Sequence, residues 1–489
     1  MCERTERSRM RSWSVRKVQA DVRSKSSRRH AFARSTSLAT LIVAGFVLTH
    51  VPPLHATTAK GAAATASAAR DYIEVPMPPG FRVERSELDG PVFADEKGRT
   101  LYEWPSRLLR NGYAGEQKGI PACYDTVLTK TAGLMSPYPA GVLLPELDTR
   151  PSCTALWPPA LAPADAKPIG KWTLVDRKDG KKQWAYEEQP LYTSVKDRRP
   201  GDVFGGTSKR HKDREGDSPV IRVPISPPPM VPPGFSVKTT INGRLLATDK
   251  NYSVYTREGD ESCDSACLQR WKPVLAPETA RPQGEWTIKQ RSPGVGQWMF
   301  RNQLLYTHEG DVTLWSLAGS DEPGWRNVFV QPVKPRPATF TVQDTLAGQV
   351  LADARGMTIY TYVCADDSLD QLSCDHPDDT QVYRLAVCGG GKVDACLRNW
   401  PYVKAETNAR SQSALWSVMN IDPNTGRRAK AGDPNALAVW AYRDRPVYTY
   451  IGDKQPGDVN GAGTGEWRGQ RNGLKAFWLR DDHFGGTTN

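Results

Sequence analysis

Apolar and polar residues alternate along short stretches of this chain, and pairs of aromatic residues two positions apart mark three of them. The pairs are Trp184 and Tyr186, Trp298 and Phe300, and Trp440 and Tyr442. Residues two apart lie on one face of a β-strand. Turn-forming residues and a returning tyrosine stretch follow each pair, as in a hairpin. No long stretch free of Pro and Gly has the i, i+3, i+4 spacing of an amphipathic helix. The pattern predicts an all-β protein.

The tryptophans follow one template used three times. In each copy a cysteine precedes a tryptophan by four positions, and a second tryptophan follows 15, 15 and 16 residues later. The copies contain Cys153, Trp157 and Trp172; Cys267, Trp271 and Trp286; and Cys396, Trp400 and Trp416. Constant spacing favours a structural role, because small domains need large rings for buried area. We expect three tandem β-domains, sandwich or barrel-like, each of two half-repeats. A single six-bladed propeller is the alternative.

Each copy begins with a strand that leads into a turn. In the first copy Asp95 and Gly98 occupy the first and fourth positions of a type I turn, and the third copy repeats this spacing. In the second copy we place Asp249 at the first position, with Tyr252 where the glycine is expected.

A length of 489 residues suits about three domains. We divide the chain into a signal peptide with a long basic start (1–56), an Ala/Thr-rich tether (57–71), repeat domain 1 (72–205), a polar and then Pro-rich linker (206–231), repeat domain 2 (232–333), a short linker (334–338) and repeat domain 3 (339–485).

The formal net charge of +11 is concentrated at the start of the chain, where residues 1–35 supply +8. The remaining surface is too weakly charged to favour nucleic acid. Leu38–Leu48 is apolar but shorter than the about 20 residues of a membrane span. The basic start and short apolar stretch are typical of a secretory signal. We expect export to the periplasm or the extracellular space, without stable membrane insertion after cleavage; an uncleaved anchor is the alternative.

The cysteines agree with export. Cys2 lies in the leader, and even numbers remain in every copy, as disulfides require. We expect Cys123–Cys153 and Cys263–Cys267. Three connectivities are open to Cys364, Cys374, Cys388 and Cys396, of which we favour Cys388–Cys396 with Cys364–Cys374. The chain has no CxxC pair and no histidine at ligand spacing, so we expect neither a metal nor another cofactor.

The tyrosine segments contain a recognisable motif. The segment Tyr448-Thr-Tyr450-Ile-Gly-Asp453 satisfies Yx(FWY)xxD, and degenerate copies begin at Tyr102, Tyr192, Tyr255, Tyr306 and Tyr360. Over about residues 75–485 the chain resembles the bacterial secreted repeats of unknown function, often described as predicted lipoproteins with this motif. The resemblance implies an exported repeat protein without an established activity. No lipobox cysteine stands near residue 56, so we do not expect a lipid anchor.

Three aromatic residues depart from the common template and are the candidate ligand contacts. They are Trp104, Tyr362 and Tyr450, which we expect to be exposed. The motif aspartates are predicted to cap backbone turns instead; they are Asp197, Asp260, Asp311 and Asp453. The chain has no HExxH or GxSxG motif and no histidine with matching partners, so we assign no catalytic residue.

The sequence favours a non-catalytic binding module of the cell envelope. Its partner would be a small molecule, such as a sugar or an apolar compound, or an envelope protein. A purely structural scaffold is one alternative, and a redox or catabolic accessory enzyme is another.

Overall fold

The computed structural model describes residues 71–109, 112–125, 152–205, 222–259, 263–346, 348–363, 388–390, 392–464 and 473–480. The predicted signal peptide, most of the tether, Asp260 and the predicted Cys364–Cys374 bridge lie outside these residues. The described residues all belong to one compact unit. They form short antiparallel strands and a few one- or two-turn helices, which confirms the all-β prediction.

Repeat 1 comprises the described elements from Arg82 to Pro224. Its strands are β1 (Arg82–Ser86), β2 (Gly90–Ala94), β3 (Tyr102–Glu103), β4 (Arg107–Leu109), β5 (Gly112–Ala114), β6 (Leu161–Ala162), β7 (Trp172–Asp176), β8 (Lys182–Tyr186), β9 (Gln189–Pro190) and β10 (Val223–Pro224), and its helix is α1 (Cys153–Leu156).

Repeat 2 comprises the elements from Phe235 to Pro332. Its strands are β11 (Phe235–Thr240), β12 (Gly243–Thr248), β13 (Tyr255–Arg257), β14 (Trp271–Pro273), β15 (Leu275–Ala276), β16 (Trp286–Ser292), β17 (Val295–Phe300), β18 (Gln303–Leu304), β19 (Tyr306–His308), β20 (Trp325–Asn327) and β21 (Phe329–Pro332). Helix α2 spans Cys267–Arg270, and a 3-10 helix spans Ala318–Asp321.

Repeat 3 comprises the elements from Thr341 to Arg480. Its strands are β22 (Thr341–Thr345), β23 (Gly348–Ala352), β24 (Tyr360–Val363), β25 (Trp416–Ile421), β26 (Leu437–Tyr442), β27 (Arg445–Tyr448), β28 (Gly473–Ala476) and β29 (Trp478–Arg480). Helix α3 spans Val393–Asn399, and a 3-10 helix spans Asn460–Gly463.

The strands pair in the same way in each repeat. The opening hairpins are β1–β2, β11–β12 and β22–β23. The hairpins with the paired aromatic residues are β7–β8, β16–β17 and β25–β26. Each of these continues into a further short strand through a two-residue turn with positive φ at both positions, the type I′ geometry. The turn residues are Glu187 and Glu188, Arg301 and Asn302, and Arg443 and Asp444.

A closing strand completes each repeat by pairing with the strand that contains its first tyrosine. These pairs are β10 with β3, β20 with β13 and β28 with β24. Ile225 N donates to Leu101 O at 2.9 Å, which continues the pairing in repeat 1. Residues 223–225, which we expected in a linker, therefore lie in the sheet of repeat 1.

The six template tryptophans and the three tryptophans of the aromatic pairs are all buried. The phenylalanine that begins each copy packs against the second tryptophan, with ring centroids 5.4, 4.6 and 5.0 Å apart. These pairs are Phe81–Trp172, Phe235–Trp286 and Phe340–Trp416. The rings meet edge to face in repeats 1 and 3 and at a tilt in repeat 2, and aromatic contacts at such distances are favourable beyond the area they bury. The prediction that these rings form the domain cores is confirmed.

The turn of repeat 2 differs from the prediction by one position. Asn251 N donates to Thr248 O at 2.9 Å, as Gly98 N donates to Asp95 O at 2.9 Å. Asn251 takes a φ of 64° and Gly98 a φ of 78°. The assignment of Asp249 and of Tyr252 to this turn's first and fourth positions was therefore wrong. Asparagine tolerates the left-handed region, so no glycine was required.

The three repeats contact one another directly. Leu88, at the tip of the β1–β2 hairpin, is buried in the hydrophobic cluster of repeat 3. Gln331 Nε2 of repeat 2 donates to Ser86 O and Glu87 O of repeat 1, both at 2.7 Å. The side chain of Arg443 in repeat 3 donates to Val203 O in repeat 1. These contacts join the repeats through their first hairpins and turns.

Candidate functional site

Each repeat has one buried motif aspartate among the described residues, and it accepts a hydrogen bond from the tyrosine that begins the other half-repeat. The oxygen–oxygen distances are 2.8 Å for Tyr102–Asp197, 3.0 Å for Tyr255–Asp311 and 2.7 Å for Tyr360–Asp453. We call these pairs the Tyr–Asp anchors. Each anchor joins the two halves of its repeat.

The anchors also order the loop that follows. Asp197 Oδ1 accepts from Phe204 N at 2.8 Å, and Asp453 Oδ1 accepts from Asn460 N at 2.9 Å. The predicted capping role is thus confirmed for Asp197 and Asp453. In repeat 2, the Tyr255 hydroxyl lies 3.0 Å from both oxygens of Asp311 and 2.9 Å from Ser316 O, and these acceptors share its single proton.

A glycine and the first template tryptophan fill the space around each anchor. The rings of Tyr102 and Trp157, Tyr255 and Trp271, and Tyr360 and Trp400 meet edge to face at 5.2, 5.3 and 5.2 Å. A Cβ at Gly205, Gly319 or Gly461 would lie 2.9, 2.8 or 2.5 Å from the tryptophan of its repeat. Such approaches exclude any larger residue without rearrangement, so these glycines are part of the packing.

Burial dominates the ionisation of the anchors. It raises the pKa of Asp197 to about 7 and the pKa of Asp311 to about 6, and it raises the pKa of Asp453 as well. Burial also raises the pKa of Tyr102, Tyr255 and Tyr360, and the neighbouring carboxyl group adds to this. These carboxyl groups are therefore enclosed and hydrogen-bonded within the packing of each repeat.

The predicted ligand contacts lie deeper than expected. Trp104 is 0% exposed and Tyr362 is 5% exposed, so the expectation that they are exposed was wrong. The guanidinium of Arg222 covers the Trp104 ring at 4.1 Å, and Tyr362 lies on β24, an interior strand of a five-stranded sheet. Tyr450 is half-buried and stacks on Trp400 with centroids 4.3 Å apart. Among the residues that the structure describes, Trp104, Tyr362 and Tyr450 do not form one cluster of contacting side chains.

Three of the predicted disulfides are present. They are Cys123–Cys153, Cys263–Cys267 and Cys388–Cys396. The template cysteine of each bridge lies in the short helix before the first tryptophan. The backbone N–H of that tryptophan donates to the carbonyl oxygen of the cysteine. The bridges therefore hold the first tryptophan of each repeat in place.

The loop after the motif aspartate differs sharply in repeat 2. Repeats 1 and 3 continue with Arg-Arg-Pro-Gly-Asp (198–202) and Lys-Gln-Pro-Gly-Asp (454–458), whereas repeat 2 continues with Val-Thr-Leu-Trp-Ser. We call residues 312–316 the repeat-2 loop. Gly201 and Gly457 adopt positive φ values of 78° and 85°, and Trp315 takes the same place with a φ of 54°. A bulky side chain in this region costs about 1–3 kcal/mol.

The repeat-2 loop exposes apolar side chains. Val312 is 87% exposed and Leu314 is 43% exposed, and Tyr252, which directly follows the Thr248–Asn251 turn, is 41% exposed. Trp315 N donates to Asn251 O at 2.8 Å, which attaches the loop to that turn. The ammonium of Lys238 on β11 lies 4.7 Å from the centre of the Trp315 ring. This is a protruding cluster of aromatic and aliphatic groups beside one cation.

Sequence reasoning did not identify this loop. A signal was present, because the Pro-Gly-Asp element of repeats 1 and 3 is absent from repeat 2. Interpreting it required the backbone, since only the positive φ shows that Trp315 occupies a glycine position.

In the part of the chain that the structure describes, no group of three or more His, Cys, Asp or Glu side chains is arranged to hold a metal ion. No helix among these residues is long and apolar enough to span a bilayer.

Comparison with protein families identifies two segments. Residues 173–209 and 437–469 match the family described as a secreted repeat of unknown function, which confirms the resemblance seen in the sequence. The matched segments contain the two Pro-Gly-Asp loops, in repeats 1 and 3. Neither the curated proteins nor the solved structures gave a match. An exported, disulfide-bonded repeat protein agrees with these findings.

Proposed function

We propose that this protein is a non-catalytic interaction module of the cell envelope and that the repeat-2 loop is its contact surface. The observation that carries the proposal is the exposed, apolar sequence of residues 312–316 on a backbone that the other repeats build with Pro-Gly-Asp. Trp315 holds a conformation that favours glycine. Strain of this kind often marks functional loops.

The surrounding contacts support a rigid presentation of this surface. The Tyr255–Asp311 anchor fixes the start of the loop, and Ser316 O accepts from the same tyrosine hydroxyl at its end. Trp315 is attached to the neighbouring turn through its backbone N–H. A loop fixed at both ends and in its middle loses little conformational entropy when it binds.

The shape of the surface favours an extended partner. Small-molecule sites are concave and enclose most of the ligand, whereas 87% of the surface of Val312 is open to solvent. An envelope macromolecule or surface therefore fits this loop better than a sugar or a small apolar compound does.

Photo-cross-linking tests the proposal. A benzophenone amino acid replaces Val312 in the exported protein, and in a matched control it replaces Lys454, the corresponding residue of repeat 3. We expect adducts from position 312 that diminish when Trp315→Ala is added, and none from position 454. Equal adducts from both positions, or none from either, would contradict the proposal.

A small-molecule ligand remains the second candidate because Tyr450 is half-buried and stacked on Trp400. Intrinsic fluorescence with a panel of sugars, phenolics and hydrocarbons tests it. A response lost in Tyr450→Ala and kept in Trp315→Ala would favour a site in repeat 3. A response lost only in Trp315→Ala would place the ligand on the repeat-2 loop.

A further inference from the structure

The most exposed side chains of the repeat-2 loop are aliphatic. Val312 is 87% exposed and Leu314 is 43% exposed. Trp315 and Tyr252 add aromatic side chains, and the ammonium of Lys238 lies 4.7 Å from the centre of the Trp315 ring. Exposed aliphatic groups together with amphipathic rings and an ammonium form the combination of side chains that a bilayer interface accommodates.

We propose that the repeat-2 loop docks the protein peripherally on a phospholipid bilayer that contains anionic headgroups. This inference rests on the proposed function and names the partner of the same loop. Val312 and Leu314 would enter the acyl boundary, Trp315 and Tyr252 would lie at headgroup depth, and Lys238 would face the phosphates. Docking of this kind is reversible and needs no spanning segment.

The size of the surface favours a bilayer over a protein partner. A stable protein interface buries about 800 Å² on each partner with close shape complementarity. Four partly exposed side chains fall well short of that area. A bilayer adapts to a small convex tip and needs no matching pocket.

Comparison with the corresponding loops of repeats 1 and 3 separates this loop from them. At the position of Val312 the other repeats have Arg198 and Lys454, and at the position of Leu314 they have proline. A charged group at the tip opposes entry into hydrocarbon. The docking would therefore orient the molecule with repeat 2 toward the lipid.

Vesicle co-flotation of the full chain tests the proposal. The vesicles contain equal amounts of phosphatidylcholine and phosphatidylglycerol. We expect the wild-type protein to float with them, and Val312→Asp/Leu314→Asp to reduce the bound fraction by about tenfold. Leu275→Asp is the matched control, because Leu275 is an exposed leucine of repeat 2 outside the loop, and it should bind like wild type.

The outcomes separate the two proposals. Flotation that is absent, or equal in wild type and the loop variant, overturns lipid docking. If position 312 then still cross-links to a protein, the interaction module stands and its partner is a protein. If cross-linking also fails, both proposals fall. Circular dichroism of the loop variant confirms that it is folded before either result is counted.

Discussion

At the scale of single residues, one loop position with positive φ is glycine in two repeats and tryptophan in the third. Gly201 and Gly457 adopt this φ at little steric cost, while Trp315 adopts it against its preference. The loop of repeat 2 therefore retains a strained residue at this position. Retention of such strain is consistent with a role in binding.

Replacing Trp315 with a residue that accepts this backbone should not harm the fold. We expect Trp315→Asn to leave the free energy of unfolding unchanged or to raise it by up to about 1 kcal/mol, because asparagine tolerates the left-handed region. Urea denaturation measures the difference. In the matched control, Gly457→Ala should lower the free energy of unfolding by about 1 kcal/mol, since Gly457 has a φ of 85°.

The anchors predict a pH dependence whose sign follows from burial. The pKa of Asp197 is raised from 3.8 to about 7 in the folded protein, so the folded state binds this proton more tightly than the unfolded state. The stabilisation that comes from this tighter proton binding is complete below about pH 4 and is lost as the pH rises through about 7. Roughly three pKa units at 1.36 kcal/mol each set an upper bound of about 4 kcal/mol.

Asp197→Asn tests this dependence, because asparagine preserves the shape without the ionisation. Between pH 5 and pH 8 the free energy of unfolding of the wild type should fall, and that of the variant should fall less. An equal fall in wild type and variant would show that Asp197 is ionised in the folded and the unfolded state across this range and that burial does not raise its pKa.

At the scale of elements, the hairpin strands could be predicted from the local sequence pattern, and the closing strand of repeat 1 could not. The pairs Trp184–Tyr186 and Trp440–Tyr442 lie on predicted hairpins, because alternation specifies a strand. Residues 223–225 were expected in a linker because they precede a proline-rich stretch. Their pairing with β3 depends on Tyr102, more than a hundred residues away, and local composition carries no signal for such a contact.

The candidate site divides in the same way. The capping role of Asp197 and Asp453 could be predicted, since an aspartate before a Pro-Gly turn is a local signal. The burial of Trp104 and Tyr362 could not be predicted, because Arg222 and the neighbouring strands that cover them are distant in sequence. In the sequence, the only sign of the repeat-2 loop is the absence of the Pro-Gly-Asp element that the other two loops contain.

The disulfides should contribute according to the chain length that they enclose. Cys123–Cys153 spans 30 residues and Cys263–Cys267 spans 4. Chain-entropy loss corresponds to about 3.5 and about 2 kcal/mol. Urea denaturation of the paired alanine variants should show the larger loss for Cys123→Ala/Cys153→Ala. Equal losses would show that local geometry, and not chain entropy, determines the contribution.

At the scale of the whole molecule, the repeats are joined through hairpin tips. Leu88 of repeat 1 is 1% exposed within the cluster of repeat 3, whereas Leu346, at the tip of the corresponding hairpin of repeat 3, is 88% exposed. The molecule is thus held together by contacts that local folding of each repeat does not supply. This arrangement would give the interaction surface of repeat 2 a rigid base.

Truncation of the Leu88 side chain should weaken the contact between repeat 1 and repeat 3. We expect Leu88→Ala to lower the free energy of unfolding by about 2–5 kcal/mol and to broaden the transition, because repeat 1 loses its contact with the core of repeat 3. Calorimetry measures both effects. Leu346→Ala is the matched control and should change little, and a comparable loss there would contradict the assigned role of Leu88.

The most direct measurement is an exchange of the loop itself. Residues 312–316 are replaced by Lys-Gln-Pro-Gly-Asp, the sequence of residues 454–458, and melting temperature and vesicle flotation are compared with wild type. We predict an equal or higher melting temperature, because glycine relieves the backbone of Trp315, together with loss of binding. Retained binding in a protein with an unchanged melting temperature would contradict the account.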